Sequence, residues 1–450
     1  MSIARSSALQ VLLTWQRTGT YPDQLLRDLW AKNTGIRPVD RNLTYQLVFG
    51  VLRWMGKLDW IIQQFSGRPI KKISSPTLFI LRLGAFQILH LSRIPVSAAV
   101  NESVKLAKEG REPWSGNFVN AVLRTLIRNQ ETLSLPSRED PVGYLSVVYS
   151  HPAWLVEKWV MDFGLEMTEG LCRSNNEIPP LTLRTNGLKI SRRDLLEKLR
   201  PKALKVEITP FSPAGIRVEE AERPLTAFSL YNQGFFQIQD EASQMIAPLL
   251  DPQPGETILD LCAGSGGKTS HLAELMKNQG KLVALDRHPR KITALRETAR
   301  RMEITILQVK TGDGLKEDLF PRTDPLFDRI LVDAPCSGWG VINRNPDLKW
   351  RLKAEDGPRL AGMQNKFLQN AAGWLKSEGI LVYCTCTLNR EENQEVVQKF
   401  LRDNPGFHLE NVSPFLPREA QGLTDGQGCY QTWPPAHHLD GFFAARLKKN

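Results

Sequence analysis

From Ile3 to about Asn129 the apolar positions return at three- and four-residue spacing. Ala8-Leu9-Val11-Leu12-Leu13, Leu43-Leu47-Val48-Val51-Leu52, Leu78-Ile80-Leu81-Leu83 and Phe118-Val122-Leu123-Leu126 all follow that period. It is the mark of helices that bury one stripe, and strand-like alternation is scarce there. Residues 1–130 therefore read as an all-α bundle. A stretch with Pro and Ser, Glu131 to Pro141, reads as a linker. Residues 142–250 are mixed. A helical pattern follows Pro152 from Trp154 to Trp159, Leu181-Thr182-Leu183-Arg184-Thr185 alternates like a strand, and Asp194 to Leu199 turns helical again. A small α+β module fits.

After Pro254-Gly255 the rhythm changes to strand, loop, helix. Thr257-Ile258-Leu259, Lys281 to Leu285, Arg329 to Val332 and Ile380 to Tyr383 are short apolar runs separated by helical patterns. Such alternation predicts a doubly wound, largely parallel α/β sheet over residues 251–450. Ligands of these sheets bind beyond the carboxyl ends of the strands.

Charge narrows the partners. The 450 residues carry a formal net charge of +10, which favours a polyanion whose condensed counterions are released on binding. The helical region contributes Arg41, Arg53, Lys57, Arg82, Arg93, Lys105, Arg124 and Arg128, expected on solvated helix faces. The most apolar segment, Pro76 to Leu91, is broken by Arg82 and too short to span a bilayer. Six cysteines in this length do not make a disulfide framework. The expectation is a cytoplasmic monomer with no membrane partner and no metal, since Cys384 and Cys386 lack a second Cys/His pair at ligand spacing.

Two features carry chemistry. The first is Asp260-Leu261-Cys262-Ala263-Gly264-Ser265-Gly266-Gly267-Lys268-Thr269, directly after the first strand of the α/β region. A phosphate loop would need Gly where Cys262 stands, and a dinucleotide fingerprint would need Gly where Thr269 stands. What remains is a side-chain-poor turn that lets a ligand approach the backbone and a helix N-terminus. Asp286, ending the second strand, is placed to accept hydrogen bonds from ribose hydroxyls, so a nucleoside ligand is expected. The second feature is a pair of thiols. Asp333-Ala334-Pro335-Cys336-Ser337-Gly338 and Thr385-Cys386-Thr387 each follow a strand, with the two cysteines 50 residues apart. Either cysteine alone would read as a small buried hydrophobe; at the ends of two strands of one sheet they can share a cleft.

With these motifs in place, the region from His151 onward resembles the RNA cytosine-5 methyltransferase family, which carries a Pro-Cys and a Thr-Cys motif on a Rossmann-like class I methyltransferase fold. Ser150-His151-Pro152, Gln239-Asp240-Glu241-Ala242-Ser243, Gly312-Asp313-Gly314, Glu391-Glu392-Asn393 and Asp440-Gly441-Phe442-Phe443 extend the match. The family's loop usually reads Cys-Ala-Ala-Pro-Gly-Gly-Lys, and here Gly264 and Ser265 replace Ala and Pro. The helical region resembles the RNA-binding NusB antitermination factor through Asp40-Arg41, Leu47 to Arg53, Leu81 to Ala85 and Phe118 to Arg124. A NusB-like domain ahead of such a catalytic domain is similar to the bacterial 16S ribosomal RNA methyltransferases of the RsmB (Sun) type.

The resemblance implies S-adenosylmethionine as cofactor, lined by Cys262, Ala263, Gly264, Ser265, Gly266, Gly267, Lys268, Asp286, Asp313 and Asp333. It implies Cys386 as the nucleophile, Cys336 as the thiol that helps release product, Asp333 as a hydrogen-bonding group and proton relay, and Lys268 as an orienting charge. It implies 16S ribosomal RNA or a pre-ribosomal particle as partner, with transfer RNA as the alternative. A non-catalytic RNA-binding factor would have no use for two thiols at strand ends, and the broken fingerprint disfavours a nicotinamide dehydrogenase. DNA cytosine methyltransferases normally attack with the Pro-Cys thiol, so the Thr-Cys partner points to RNA.

Overall fold

A computed structural model describes residues 2–320 and 326–450. The chain divides into two compact units. The first takes the residues up to Ile178 and, much later in the chain, Ile342–Ala354; the second is Pro179–Val341 with Glu355–Asn450.

The first unit is helical: α1 (Ile3–Thr18), α2 (Pro22–Lys32), α3 (Pro38–Ser66), α4 (Ser75–His90), α5 (Val96–Lys108), α6 (Gly116–Arg128), α7 (Pro141–Val148), α8 (Ala153–Phe163) and α9 (Leu165–Ser174). Local chemistry sets several ends. Pro38 and Pro76 stand in first turns, where no N–H is needed, and Gly19 (φ 65°) and Gly67 (φ 61°) stop α1 and α3 in the left-handed region. Helix α4 is buried almost all round, which explains why its apolar positions are not confined to one stripe. Its neighbours approach closely. A Cβ on Gly50 of α3 would fall 2.0 Å from the Phe86 ring, and one on Gly84 would fall 2.6 Å from Leu123. Arg82 corrects the expectation of a solvated face. It is buried on α4, and its guanidinium makes two 2.7 Å bonds to the Asp59 carboxylate. Arg53 departs from it too, donating to the Asn343 carbonyl at 2.6 Å from within the same unit.

The late segment Ile342–Ala354 is fastened by two side chains. Trp350 donates its indole N–H to the Leu52 carbonyl at 2.6 Å. Lys349, 1% exposed, donates to the carbonyls of Arg53 and Ser150 at 2.9 Å and to Asn176 Oδ1 at 3.0 Å.

The second unit holds two sheets. Strands β1 (Leu181–Thr185), β2 (Ala203–Ile208), β3 (Gly215–Ala221) and β4 (Phe236–Ile238), with helix α10 (Arg192–Leu199), form an antiparallel sheet in the order β2-β3-β1-β4. The larger sheet contains β5 (Thr257–Asp260), β6 (Lys281–Asp286), β7 (Leu307–Thr311), β8 (Phe327–Asp333), β9 (Leu375–Thr385), β10 (Phe407–Glu410), β11 (Tyr430–Gln431) and β12 (Phe443–Lys449). Its order is β10-β12-β9-β8-β5-β6-β7, with β11 also on β12. The run β9-β8-β5-β6-β7 is parallel, and β10, β11 and β12 join antiparallel. The expected parallel sheet is therefore the middle of a mixed one. Helices α11 (Gly267–Leu275), α12 (Pro289–Met302), α13 (Asp356–Trp374) and α14 (Gln394–Asp403) flank it. Its central strands are buried on both faces, so they read as continuous apolar runs.

Arg184 links the smaller sheet to α11. Fully buried on β1, it bonds the Gly267 carbonyl, Ser270 Oγ and Glu274 Oε1, each at 2.7 Å, and also Gln239.

Candidate active site

The chemistry-bearing residues gather where the parallel strands end. Strand β5 finishes at Asp260, and the chain turns through Gly264 (φ 58°) and Gly266 (φ 90°) into α11. Both glycines lie in the left-handed region, where a side chain would be strained. The turn is tied down by its backbone, Ala263 N–H to Leu285 O at 2.9 Å and Gly266 N–H to Ala263 O at 3.0 Å. Asp260 is completely buried. One of its oxygens accepts the Thr269 hydroxyl at 2.7 Å and the other has no partner. Burial raises its carboxyl to about 7.

Asp286, ending β6, accepts the Gly264 N–H at 3.1 Å and the His288 N–H at 2.8 Å. Asp313, two residues past β7, accepts the Leu315 N–H at 3.1 Å. Asp333, ending β8, sits between two elements: one oxygen accepts Lys268 Nζ at 2.7 Å and the other the Cys384 thiol at 3.3 Å. Lys268 is in the first turn of α11, its side chain 11% exposed, with the Phe442 ring 5.1 Å from its nitrogen. Burial works against the ammonium, yet Asp333 with the thiols of Cys384 and Cys386 outweighs it, and the group is held above its ordinary value.

The two predicted thiols meet. Cys336 Sγ and Cys386 Sγ are 3.4 Å apart, and the Gly340 N–H fixes the Cys386 carbonyl at 3.0 Å. The bond to Cys386 and burial both push the Cys336 thiol well up, so it holds its proton. Burial does the same to Cys262 and Cys384. All six cysteines are free.

Comparison with known proteins places the chain in a family. A sequence profile described as 16S rRNA methyltransferase RsmB/F matches residues 247–448. The NusB family profile matches 2–128, and one for the ferredoxin-like domain of RsmF/B-like methyltransferases matches 151–224. The probable ribosomal RNA small subunit methyltransferase B of Bacillus subtilis (strain 168) is 36% identical over 99% of this chain and 98% of its own length. The probable ribosomal RNA small subunit methyltransferase B of Synechocystis is 37% identical over 100% of both. The chain belongs to the RsmB/F methyltransferase family. The crystal structure of PH0851 superposes with a TM-score of 0.82 at 25% identity, covering 99% of this chain and 98% of that one.

Members of the RsmB/F family use S-adenosylmethionine, and the strand ends suit that molecule. It offers an amino group, two ribose hydroxyls and an ammonium as donors, and a carboxylate as acceptor. Asp286, Asp313 and Asp333 supply carboxylates, while the glycine turn and the N-terminus of α11 supply N–H groups. A Cβ built on Gly264 or Gly267 would meet nothing within 4 Å, so the loop backbone is open to a ligand. Ser265 lies exposed at its crest.

The geometry also adds residues that the strand-end logic passed over. Glu392 is fully buried and accepts the Ser337 N–H at 2.9 Å, one residue past Cys336. Gln364 of α13 donates to the Pro335 carbonyl at 3.0 Å, one residue before it. The Glu391-Glu392-Asn393 run was visible in the sequence, whereas nothing in the sequence points to Gln364.

Proposed function

We propose that this chain methylates carbon 5 of a specific cytosine in 16S ribosomal RNA, through a covalent bond between Cys386 and carbon 6 of the base. The observation that carries the reading is the 3.4 Å approach of the Cys336 and Cys386 sulfurs at the ends of neighbouring strands, beside the Lys268–Asp333 pair. In the division of labour we infer, residues 1–130 and 142–250 engage RNA and residues 251–450 carry the chemistry.

Carbon 5 of cytosine is a poor nucleophile while the ring is aromatic. Addition of the Cys386 sulfur to carbon 6 breaks the conjugation and passes the electron pair toward carbon 5, splitting one hard step into easier ones. The glycine turn, Asp286, Asp313 and Asp333 would hold S-adenosylmethionine, which when bound would supply an electrophilic methyl group. Lys268, paired with Asp333, provides a standing positive charge that orients the base. Asp333 accepts a hydrogen bond from the base's amino edge or relays the proton that leaves carbon 5. Loss of that proton restores the ring double bond and expels the Cys386 sulfur. Cys336, holding its proton in contact with Cys386, is placed to assist that departure. A target base inside a duplex is out of reach, so the cytosine is flipped out or already unpaired.

The test is bisulfite sequencing of ribosomal and transfer RNA from cells with and without the protein. A single protected cytosine in 16S RNA that disappears in the deletion supports the reading; a site lost from transfer RNA, or none lost, overturns it. Cys386→Ala should abolish methyl transfer while RNA binding survives. Cys336→Ala should accumulate a covalent protein–RNA species that migrates slowly on denaturing gels.

A further inference from the structure

Residues that the reaction itself does not use converge on both thiol loops. Glu392 Oε2 accepts the Ser337 N–H and the Gln364 side-chain amide, both at 2.9 Å, while Oε1 accepts the Asn389 amide at 3.2 Å. Through Ser337, and through the Gln364 bond to the Pro335 carbonyl, the residues on both sides of Cys336 are held. Asn393 does the same for Cys386. Its Nδ2 donates to the Thr387 carbonyl at 2.9 Å, and its Oδ1 accepts the Thr385 hydroxyl at 2.6 Å. The hydroxyls of Ser337 and Thr387 close the frame at 2.6 Å. Tyr383 of β9 fixes the Glu392 carbonyl at 2.6 Å.

Every member is buried to 2% exposure or less. A buried carboxylate costs several kcal/mol unless donors surround it, and here three side-chain and backbone donors do. Burial still raises its pKa, with the bonds from Ser337, Gln364 and Asn389 pulling it back. An apolar cluster could fill this volume, but it would leave the Ser337 N–H unpaired and fix neither loop in direction. Hydrogen bonds restrain both. Displacing a reacting group by about 1 Å can cost on the order of a hundredfold in rate.

We propose that Glu392 and Asn393 are positioning residues, a polar brace that sets the separation of the Cys336 and Cys386 sulfurs so that both act on one base in turn. The inference rests on the roles proposed above for the two thiols. Both are at most 1% exposed and bonded to the thiol loops, so they act through those loops.

Phenylarsine oxide reads the spacing without reference to catalysis. Two neighbouring thiols form two As–S bonds while the arsenic oxygen leaves as water, with no change of oxidation state. The full-length protein should take one arsenical across the pair, mapped by peptide mass. Cys336→Ser and Cys386→Ser should each lose the bridge. Glu392→Ala should slow bridging at least tenfold, whereas Glu392→Gln, which keeps an acceptor for Ser337, should recover most of the rate. Gln364→Leu removes one arm, leaves the carboxylate bonded to Ser337, and should slow bridging about threefold; it serves if Glu392→Ala does not fold. With RNA and S-adenosylmethionine, Glu392→Ala should lower kcat with KM for RNA unchanged and leave the covalent species unresolved. Bridging at the wild-type rate in Glu392→Ala and Gln364→Leu overturns the brace. Slow bridging with normal resolution of the covalent species supports the brace and counts instead against the release role of Cys336.

Discussion

Lys268 in the α/β unit is largely shielded and Lys349 in the helical unit is buried, and their surroundings drive them in opposite directions. Lys349 has three hydrogen-bond acceptors, two carbonyls and an amide oxygen, none of them charged. Burial, aided by the positive charge of Arg53, pushes its ammonium well below the ordinary lysine value. Lys268 meets the same burial, but a carboxylate at 2.7 Å reverses the outcome. One acceptor with a full negative charge outweighs three dipoles. The lesson concerns roles: Lys349 fastens a segment of chain, whereas Lys268 is a standing charge paired with Asp333 at the strand ends.

The comparison can be broken in order of expected effect. Lys268→Met leaves Asp333 without its counter-charge, and methyl transfer should fall about 100- to 1,000-fold, read as kcat with labelled cofactor. A loss below threefold would mean that the charge is not used. Lys349→Ala removes three donors and a long side chain from a closed site, and denaturant melts should show a loss of about 2–4 kcal/mol.

The pH dependence carries opposite signs. The folded pKa of Lys349 lies below its unfolded value, so the unfolded chain binds the extra proton between the two. Stability therefore rises with pH toward about 10.4, the ordinary lysine value, and Lys349→Met should flatten that rise. The folded pKa of Lys268 lies above its unfolded value. Its contribution is complete below about 10.4 and is lost as pH climbs through the folded value, so Lys268→Met should remove a fall at alkaline pH. Melts below about pH 10.4 read the Lys349 rise, and melts above it read the Lys268 fall.

The smallest effect belongs to Asp260, whose carboxyl is raised by burial to about 7. The unfolded chain ionises first, so this group subtracts stability as pH rises from about 4 toward 7. Asp260→Asn should gain stability at pH 8 and none at pH 4. Equal gains at both values would refute the ionisation argument.

Much of this was legible in the chain, for identifiable reasons. Strands β5, β6, β8 and β9 are largely buried, so each shows as an apolar run, and the thiols follow two of them directly. Strand β7 escaped because it lies at the sheet edge with Gln308, Lys310 and Thr311 exposed, which breaks the run. Strand β12 escaped because Arg446 interrupts Phe443 to Leu447 and Lys448 and Lys449 follow it. Arg446 is nonetheless buried, its charge met by Glu410 at 2.7 Å. The burial of Arg82 was hidden for the same reason, since Asp59 lies on another helix. Gln364 was invisible because its two partners lie about 30 residues away. Periodicity reports which face is buried; it does not report which polar groups satisfy one another there.

The late return of Ile342–Ala354 to the helical unit bears on how the chain is made. Residues up to Ile178 leave the ribosome first, but the Lys349 and Trp350 fasteners of that unit are synthesised about 170 residues later. At about 5–20 residues per second, that is an interval of roughly 8–30 s. During it, the carbonyls of Leu52, Arg53 and Ser150 lack the donors that meet them in the finished fold. The nascent helical unit is thus completed only after strands β5 to β8 of the larger sheet have been made, and a deletion ending at Ile178 would separate it from its own last piece.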